Sequence, residues 1–288
     1  MTPREHAGSV AGMARPFFKW VGGKTKLLPE ILHRVPEFNR YHEPFLGGGA
    51  VFFGVAPTAA CLSDLNPHLV TTYVAVRDHV DCVMERLYAL QSSHTDGSYG
   101  RVRSHYNHGS LSDIERAATF LYLNKTCFNG LHRLNKKGEF NSPEGDYDIS
   151  AIVDEPTLRA ASSALGNADI RCQGFDAAVP TEGDFVYLDP PYVPVSTTSA
   201  FTTYAGDFTD AHQVQLRDLV MAWTHAGVKV MLSNSAAPRV LDLYSHPTFH
   251  VDIVKAPRSI NSDAEGRGVV DEVLVRNYDY VLPEPPTW

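Results

Sequence analysis

Four residues, Asp189-Pro190-Pro191-Tyr192, follow directly on the apolar run Phe185-Val186-Tyr187-Leu188 and restrict the fold of this chain more than any other feature. Proline has no N–H and pushes the residue before it out of helical space, so neither a strand nor a helix continues through the pair. The chain must leave a buried strand and stiffen at once. A carboxylate, a backbone carbonyl and an aromatic face are then held at the carboxyl end of a strand, where open α/β sheets bind their ligands. Such a set suits a planar ring bearing an amine. Tyr192 can stack on the ring, while Asp189 and the Pro190 carbonyl accept hydrogen bonds from its NH2 group. A strand-ending turn with a half-buried aromatic would use the same residues, so the decision falls to the rest of the chain.

The 288 residues suffice for one large α/β domain, or for a core domain with a substantial insertion. Cys61, Cys82, Cys127 and Cys172 are scattered without a C-x-x-C pair, which points to reduced thiols in a cytosolic compartment. The thirteen histidines form no metal-ligand pattern, and no metal is expected. No apolar stretch reaches the length of a membrane span, and residues 1–15 read as a disordered extension without a signal-peptide core. The net charge of −8 argues against a protein that coats nucleic acid nonspecifically, yet leaves room for a local basic face.

Along the chain, a strand at Tyr41–Phe45 leads into Gly47-Gly48-Gly49 and a helix from Ala50. A second strand, Ala59–Ser63, ends at Asp64. Asn66-Pro67 then reads as an N-cap with proline at the first helical position, opening a helix through about residue 91. Residues 92–110 read as a polar loop, and Ser112 with Glu115 as a capping box for the helix that follows. Residues 131–141 read as a hairpin turning at Asn135-Lys136-Lys137-Gly138. Alternation of strand and helix resumes near Phe175. It runs through Phe185–Leu188, a helix from Asp210 to Ala226 closed by Gly227, the strand Val228–Leu232, and two tail strands at Phe249–Lys255 and Val269–Asn277. The economical division is one α/β domain from 16–67 and 166–288, interrupted by a mainly helical domain at 68–165.

Three further segments bear on chemistry. The glycines of Glu43-Pro44-Phe45-Leu46-Gly47-Gly48-Gly49 let a ligand approach the backbone where a strand turns into a helix, whose N-terminus offers free N–H groups. Asp64, at the end of the next strand, can accept hydrogen bonds from ribose hydroxyls. Phe52 stands where a third glycine would complete a dinucleotide fingerprint, which disfavours a nicotinamide dehydrogenase and suits a single nucleoside. Gly22-Gly23-Lys24-Thr25 resembles the end of a phosphate-binding loop, but Phe18 replaces the glycine that loop needs. Lys125–Lys137 carries Lys125, Arg133, Lys136 and Lys137 without an acid, interleaved with Phe128-Asn129-Gly130 and His132. On a hairpin that set faces a phosphate backbone or a groove; a solvated lysine-rich turn is the plainer account.

Taken together, and in this order, these segments resemble the Dam-type family of adenine-N6 DNA methyltransferases. The likeness covers about Pro16 to Tyr278. It rests on Phe18-Lys19-Trp20-Val21-Gly22-Gly23-Lys24, the Glu43–Gly49 motif, Ser63-Asp64-Leu65-Asn66, Leu123-Asn124-Lys125, Asn129-Gly130-Leu131 with Arg133, Gly138-Glu139-Phe140-Asn141 and Asp189-Pro190-Pro191-Tyr192. Phe201-Thr202 and the helix after Phe208 also fit. The resemblance implies a Rossmann-like sheet that binds S-adenosylmethionine, with an inserted, mainly helical target-recognition domain at 68–165. It implies that Trp20, Lys24, Phe45, Gly47, Gly49, Asp64 and Asp189 hold the cofactor, and that Asp189, Pro190 and Tyr192 serve the target base. It further implies that Lys125, Asn129, Arg133, Asn135, Lys136 and Lys137 meet double-stranded DNA, with Arg133 suited to a bidentate contact with guanine in a GATC-like site.

The expected reaction follows from the acceptor. An adenine amine is a poor nucleophile because its lone pair is delocalised into the ring. Hydrogen bonds to Asp189 and the Pro190 carbonyl favour a pyramidal nitrogen, so catalysis is mainly positioning and electrostatics. The amine is buried in a duplex, so the base must be flipped out. Cytosine N4 and RNA adenine are alternative acceptors for the same motif, and a DNA-binding protein without catalysis is a more distant one. The family admits a cognate restriction endonuclease as a second partner and implies a cytoplasmic, nucleoid-associated place of work.

Overall fold

A computed structural model describes residues 14–195, 208–257 and 269–280. In chain order the first elements are α1 (Leu28–Leu32), β1 (Tyr41–Glu43), α2 (Ala50–Val55), β2 (Ala60–Asp64), α3 (Pro67–Ser92), α4 (Ser98–His108), α5 (Asp113–Thr126) and α6 (Glu155–Leu165). They are followed by β3 (Ala168–Cys172), β4 (Phe185–Leu188), α7 (Asp210–His225), β5 (Lys229–Ser235), α8 (Pro238–Leu243), β6 (His250–Pro257) and β7 (Val269–Arg276). The chain divides into two compact units. One holds the residues up to Gly23, Gly47–Ala56 and Asn66–Ile170; the other holds Lys24–Leu46, Pro57–Leu65 and the chain from Arg171. The Phe201-Thr202 motif and residues 1–13 of the expected extension lie outside the described residues.

Among the described residues the sheet has seven strands, in the order β3-β2-β1-β4-β5-β7-β6. β1 runs parallel to β2 and β4, and β4 parallel to β5, while β7 is antiparallel to both β5 and β6. This is the mixed α/β sheet expected of a Rossmann-like methyltransferase. The strand order reverses between β1 and β4, and ligands of such sheets bind outside the carboxyl ends of the strands at that point. Register brings Tyr41 opposite Phe185, so Glu43-Pro44-Phe45 and Asp189-Pro190 leave the sheet side by side. All four residues of β4 are buried, as the continuous apolar run of an interior parallel strand requires. On α7, Leu216, Val220 and Trp223 lie on one helical face and join Val186, Leu188, Val230 and Leu232 in the core. Each such side chain contributes roughly 1.5–3 kcal/mol by leaving water.

The helical unit is built on α3 and α5. Asn66 caps α3 by accepting from the His68 and Leu69 N–H groups at 3.0 and 3.2 Å, with Pro67 at the first helical position as expected. The Ser112–Glu115 capping box at α5 is also in place. Two expectations are corrected. Residues 92–110 are not a polar loop: α3 runs to Ser92 and α4 occupies Ser98–His108. Tyr99 and Tyr106, two turns apart, are the buried aromatic residues of α4, too sparse an apolar pattern to stand out in a polar segment. The hairpin at 131–141 turns where expected but pairs through a single bridge, Leu134 with Phe140, in place of two strands. Side chains hold it: Asn135 Oδ1 accepts from the Lys137 and Glu139 N–H groups, and Arg133 bonds to Asn141.

Candidate active site and DNA-binding turn

In the sheet unit, the end of β4 is fixed by the strands beside it. Ser233 on β5 donates to Asp189 Oδ1 at 2.9 Å and shares a 2.9 Å hydrogen bond with the Tyr187 hydroxyl. The Lys24 ammonium lies 2.7 Å from Asp189 Oδ2 and 4.7 Å over the ring of Tyr192. Tyr192 donates its hydroxyl to Glu272 on β7 at 2.8 Å. Burial pushes the Tyr192 hydroxyl well above its ordinary range, with Asp189 and Glu272 adding to the shift, so it is a proton donor at neutral pH. The backbone beyond the prolines is held as firmly. Val193 N–H donates to Asn234 Oδ1 at 3.1 Å, Ser235 donates to the Val193 carbonyl at 2.6 Å, and Gln213 on α7 donates to the Pro191 carbonyl at 2.9 Å. The result is a carboxylate, a rigid loop and an aromatic ring whose positions are set before any ligand arrives.

Two other expected residues of this unit lie nearby in the sheet's order. Phe45, leaving β1, stacks on Phe175 at 5.4 Å and meets Phe208 edge-on at 5.8 Å. Asp64 closes β2, and its carbonyl accepts from the Gln173 N–H at 3.2 Å.

In the helical unit, Gly47 and Gly49 both have left-handed backbone, with φ of 47° and 67°. A Cβ on Gly47 would come within 2.9 Å of the Trp20 indole, so this turn requires glycine for its conformation and for the close approach of the ring. Tyr73 donates to the Gly47 carbonyl at 3.1 Å, and the Trp20 ring stacks on His132 at 5.5 Å.

The turn that follows α5 also belongs to the helical unit. Asn129 is exposed and left-handed at φ 53°, a conformation asparagine tolerates better than most residues. Arg133 is exposed, and its Nε and Nη2 donate to the side chain and backbone oxygens of Asn141, each at 2.8 Å. Lys136 and Lys137 stand exposed at the tip. Asn135 shapes the turn, because its amide also donates to Glu139 at 2.7 Å. Lys125, at the end of α5, is half-buried, and burial lowers its pKa.

Residues 20–260 match the family described as D12 class N6 adenine-specific DNA methyltransferase. The chain belongs to this family. Among its relatives, Type II methyltransferase M1.LlaDCHI of Lactococcus lactis subsp. cremoris is 40% identical over 273 residues, covering 92% of this chain and 95% of its own. Type II methyltransferase M.MjaIII of Methanocaldococcus jannaschii is 37% identical over 290 residues, covering 92% and 99%. The DNA adenine methylase of Escherichia coli is 34% identical over 265 residues, covering 90% and 94%.

For an adenine-specific DNA methyltransferase, the residues that reasoning from sequence overlooked are those that position the acid. Ser233, Asn234 and Ser235 are a polar run at the buried end of β5, and Gln213 and Glu272 reach in from α7 and β7. A signal was present: three polar residues directly after Val230-Met231-Leu232 prolong a strand whose core has ended, which places hydrogen-bonding groups at its carboxyl end. Among the described residues, no cluster of His, Cys, Asp or Glu could hold a metal, and no helix is long and apolar enough to cross a membrane.

Proposed function

We propose that this methyltransferase transfers the methyl group of S-adenosylmethionine to the N6 amine of an adenine flipped out of duplex DNA. The observation that carries the reading is the end of β4, where Ser233 orients Asp189 and Glu272 pins Tyr192. Asp189 and the Pro190 carbonyl accept the two amine hydrogens and draw the nitrogen lone pair out of the ring. The Lys24 ammonium pairs with Asp189 Oδ2 and fixes the place of the carboxylate. Tyr192 offers its ring to the extruded base and replaces part of the stacking given up in the duplex. Once the nitrogen has gained its methyl group, its proton becomes acidic and passes to Asp189 or to water.

The methyl donor has residues that suit it. In the helical unit, the left-handed glycines Gly47 and Gly49 offer bare backbone, and the Trp20 indole lies over Gly47 and Gly48. In the sheet unit, Lys24, Phe45 and the carboxylate of Asp64 supply a cation, an aromatic edge and an acceptor for ribose hydroxyls. S-adenosylmethionine, when bound, supplies an electrophilic methyl on a sulfonium. Lys125, Asn129, Arg133, Asn135, Lys136 and Lys137 form or support the DNA-reading turn within a target-recognition domain at about 68–165. Arg133 is held in one plane by Asn141, so a bidentate contact with guanine uses its remaining edge or exchanges that partner. The protein works in the cytosol on nucleoid DNA, and a cognate restriction endonuclease fits the type II names of two relatives.

The test is to incubate unmethylated plasmid with the protein and S-adenosylmethionine, then map modified bases by single-molecule sequencing. N6-methyladenine confined to one short motif is expected, with GATC the motif if Asn129 and Arg133 read the site. N4-methylcytosine, or no modification at all, overturns the reading.

A further inference from the structure

His132 is a buried imidazole, 6% exposed, whose Nε2 has no hydrogen-bond partner among the described residues. Its tautomer follows from its neighbour. The Asn66 side-chain oxygen is committed to capping α3, so the amide nitrogen is the atom that faces His132 Nδ1 at 3.5 Å. Nδ1 therefore accepts, and the proton sits on Nε2. Burial, with His68 nearby, pushes the pKa down to about 4, which leaves the ring neutral under ordinary conditions. A buried N–H left without a partner costs about 1–3 kcal/mol.

The ring lies flat against Trp20, with centroids 5.5 Å apart and planes 25° apart. Phe120 meets it edge-on at 5.5 Å and Phe140 lies tilted against it at 5.8 Å, so the imidazole is clamped from the helix and from the turn. Trp20 in turn covers Gly47 and Gly48. The Trp20 segment has a second tie to the same turn. Asn124 accepts from the Lys19 N–H at 2.8 Å and donates to the Lys19 carbonyl at 2.8 Å and the Gly130 carbonyl at 3.2 Å. Gly130 lies so close to the Lys19 side chain that no Cβ fits there. The turn carrying Asn129 and Arg133 and the indole over the glycine motif are thus parts of one packed piece.

We propose that His132 is a positioning residue for binding of the methyl donor, holding Trp20 in place over the glycine turn and tying it to the DNA-reading turn. The inference rests on the reading of Trp20 as part of the cofactor site. It assigns a role to a residue between Asn129 and Arg133 that need not touch DNA.

His132→Leu fills the space without an aromatic face, and His132→Phe restores the face without the N–H. Each is compared with the wild type for KM of S-adenosylmethionine, for kcat, and for the Trp20 emission of the cofactor-free protein, isolated by subtracting the same protein carrying Trp20→Phe. His132→Leu is expected to shift Trp20 emission and to raise KM about 3- to 10-fold, the equivalent of removing one aromatic pair. Its kcat should stay within about twofold, because ground-state and transition-state binding weaken together. His132→Phe should return both emission and KM toward wild type. Wild-type emission and KM in His132→Leu, or equal defects in the Leu and Phe variants, would overturn the inference. Trp20→Phe alone separates the two readings. If it raises KM while His132→Leu does not, only the positioning role fails; if it leaves KM unchanged, Trp20 leaves the cofactor site and the inference goes with it.

Discussion

At the end of β4, Asp189 and Tyr192 are held from outside by Ser233 on β5 and Glu272 on β7, whereas the turn at Asn135–Gly138 is held by its own side chains. The first region inherits its geometry from parallel strands and two prolines; little can move without disturbing the sheet. The second has one bridge, exposed cations and a self-contained hydrogen-bond pattern, so its surface residues can change while the turn survives. On the proposed function, chemistry that needs sub-ångström placement falls to the rigid region and sequence reading to the adaptable one.

The rigid region breaks most visibly at Asp189. Replacing it with alanine removes the proposed acceptor for the amine and the Lys24–Asp189 ion pair. We expect kcat to fall by at least about 10³-fold, the scale at which a missing electrostatic contact and a missing proton acceptor combine. Single-turnover methylation of a duplex at saturating cofactor measures it. DNA affinity should change little, since no residue of the turn is touched. Near wild-type turnover would remove Asp189 from the chemistry.

The extent to which each region could be read from sequence differs for the same physical reason. Asp189-Pro190-Pro191-Tyr192, the Asn66-Pro67 cap and the Ser112–Glu115 box are local patterns whose consequences are local, and the structure places them accordingly. The α/β alternation was legible in apolar runs punctuated by glycine and proline, whereas the antiparallel placing of β7 was not. What sequence did not show was contact at a distance. Ser233 is 44 positions from Asp189 and Glu272 is 80 from Tyr192, and each acquires its role only through strand order. α4 was missed because two tyrosines make too weak a stripe in a polar segment. His132 was seen as one residue of a basic stretch; its burial depends on Phe120 and Phe140 folding around it.

The helical unit also carries a conditional weakness through that histidine. Its pKa in the folded protein is about 4, against an ordinary value of 6.5, so the unfolded chain takes up the proton first as the pH falls. Stability from the neutral ring is fully present above pH 6.5 and declines progressively down to pH 4. The decline is about 3 kcal/mol for a shift of this size. Urea unfolding of wild type and His132→Phe between about pH 7.5 and 4 is the measurement. The wild type should weaken more steeply than the variant as the pH drops through that window. Parallel curves would show that His132 does not titrate separately in the two states.

The smallest effect expected is at Lys136 and Lys137. Both are exposed at the tip of the turn, so alanine there should leave the fold and kcat intact. If both meet phosphates, the double variant should bind duplex DNA more weakly by a similar factor at every sequence. The slope of log affinity against log salt should become shallower by about 1.8, or about 0.9 for each phosphate no longer neutralised. Arg133→Ala should behave differently, loosening the preference for the recognition site while changing the slope less. In a protein of net charge −8, a few cations must supply most of the attraction to DNA, so two lysines are a measurable fraction of it. An unchanged slope would mean that these lysines are the solvated tip of a turn, and that the cations facing phosphate lie elsewhere on the surface.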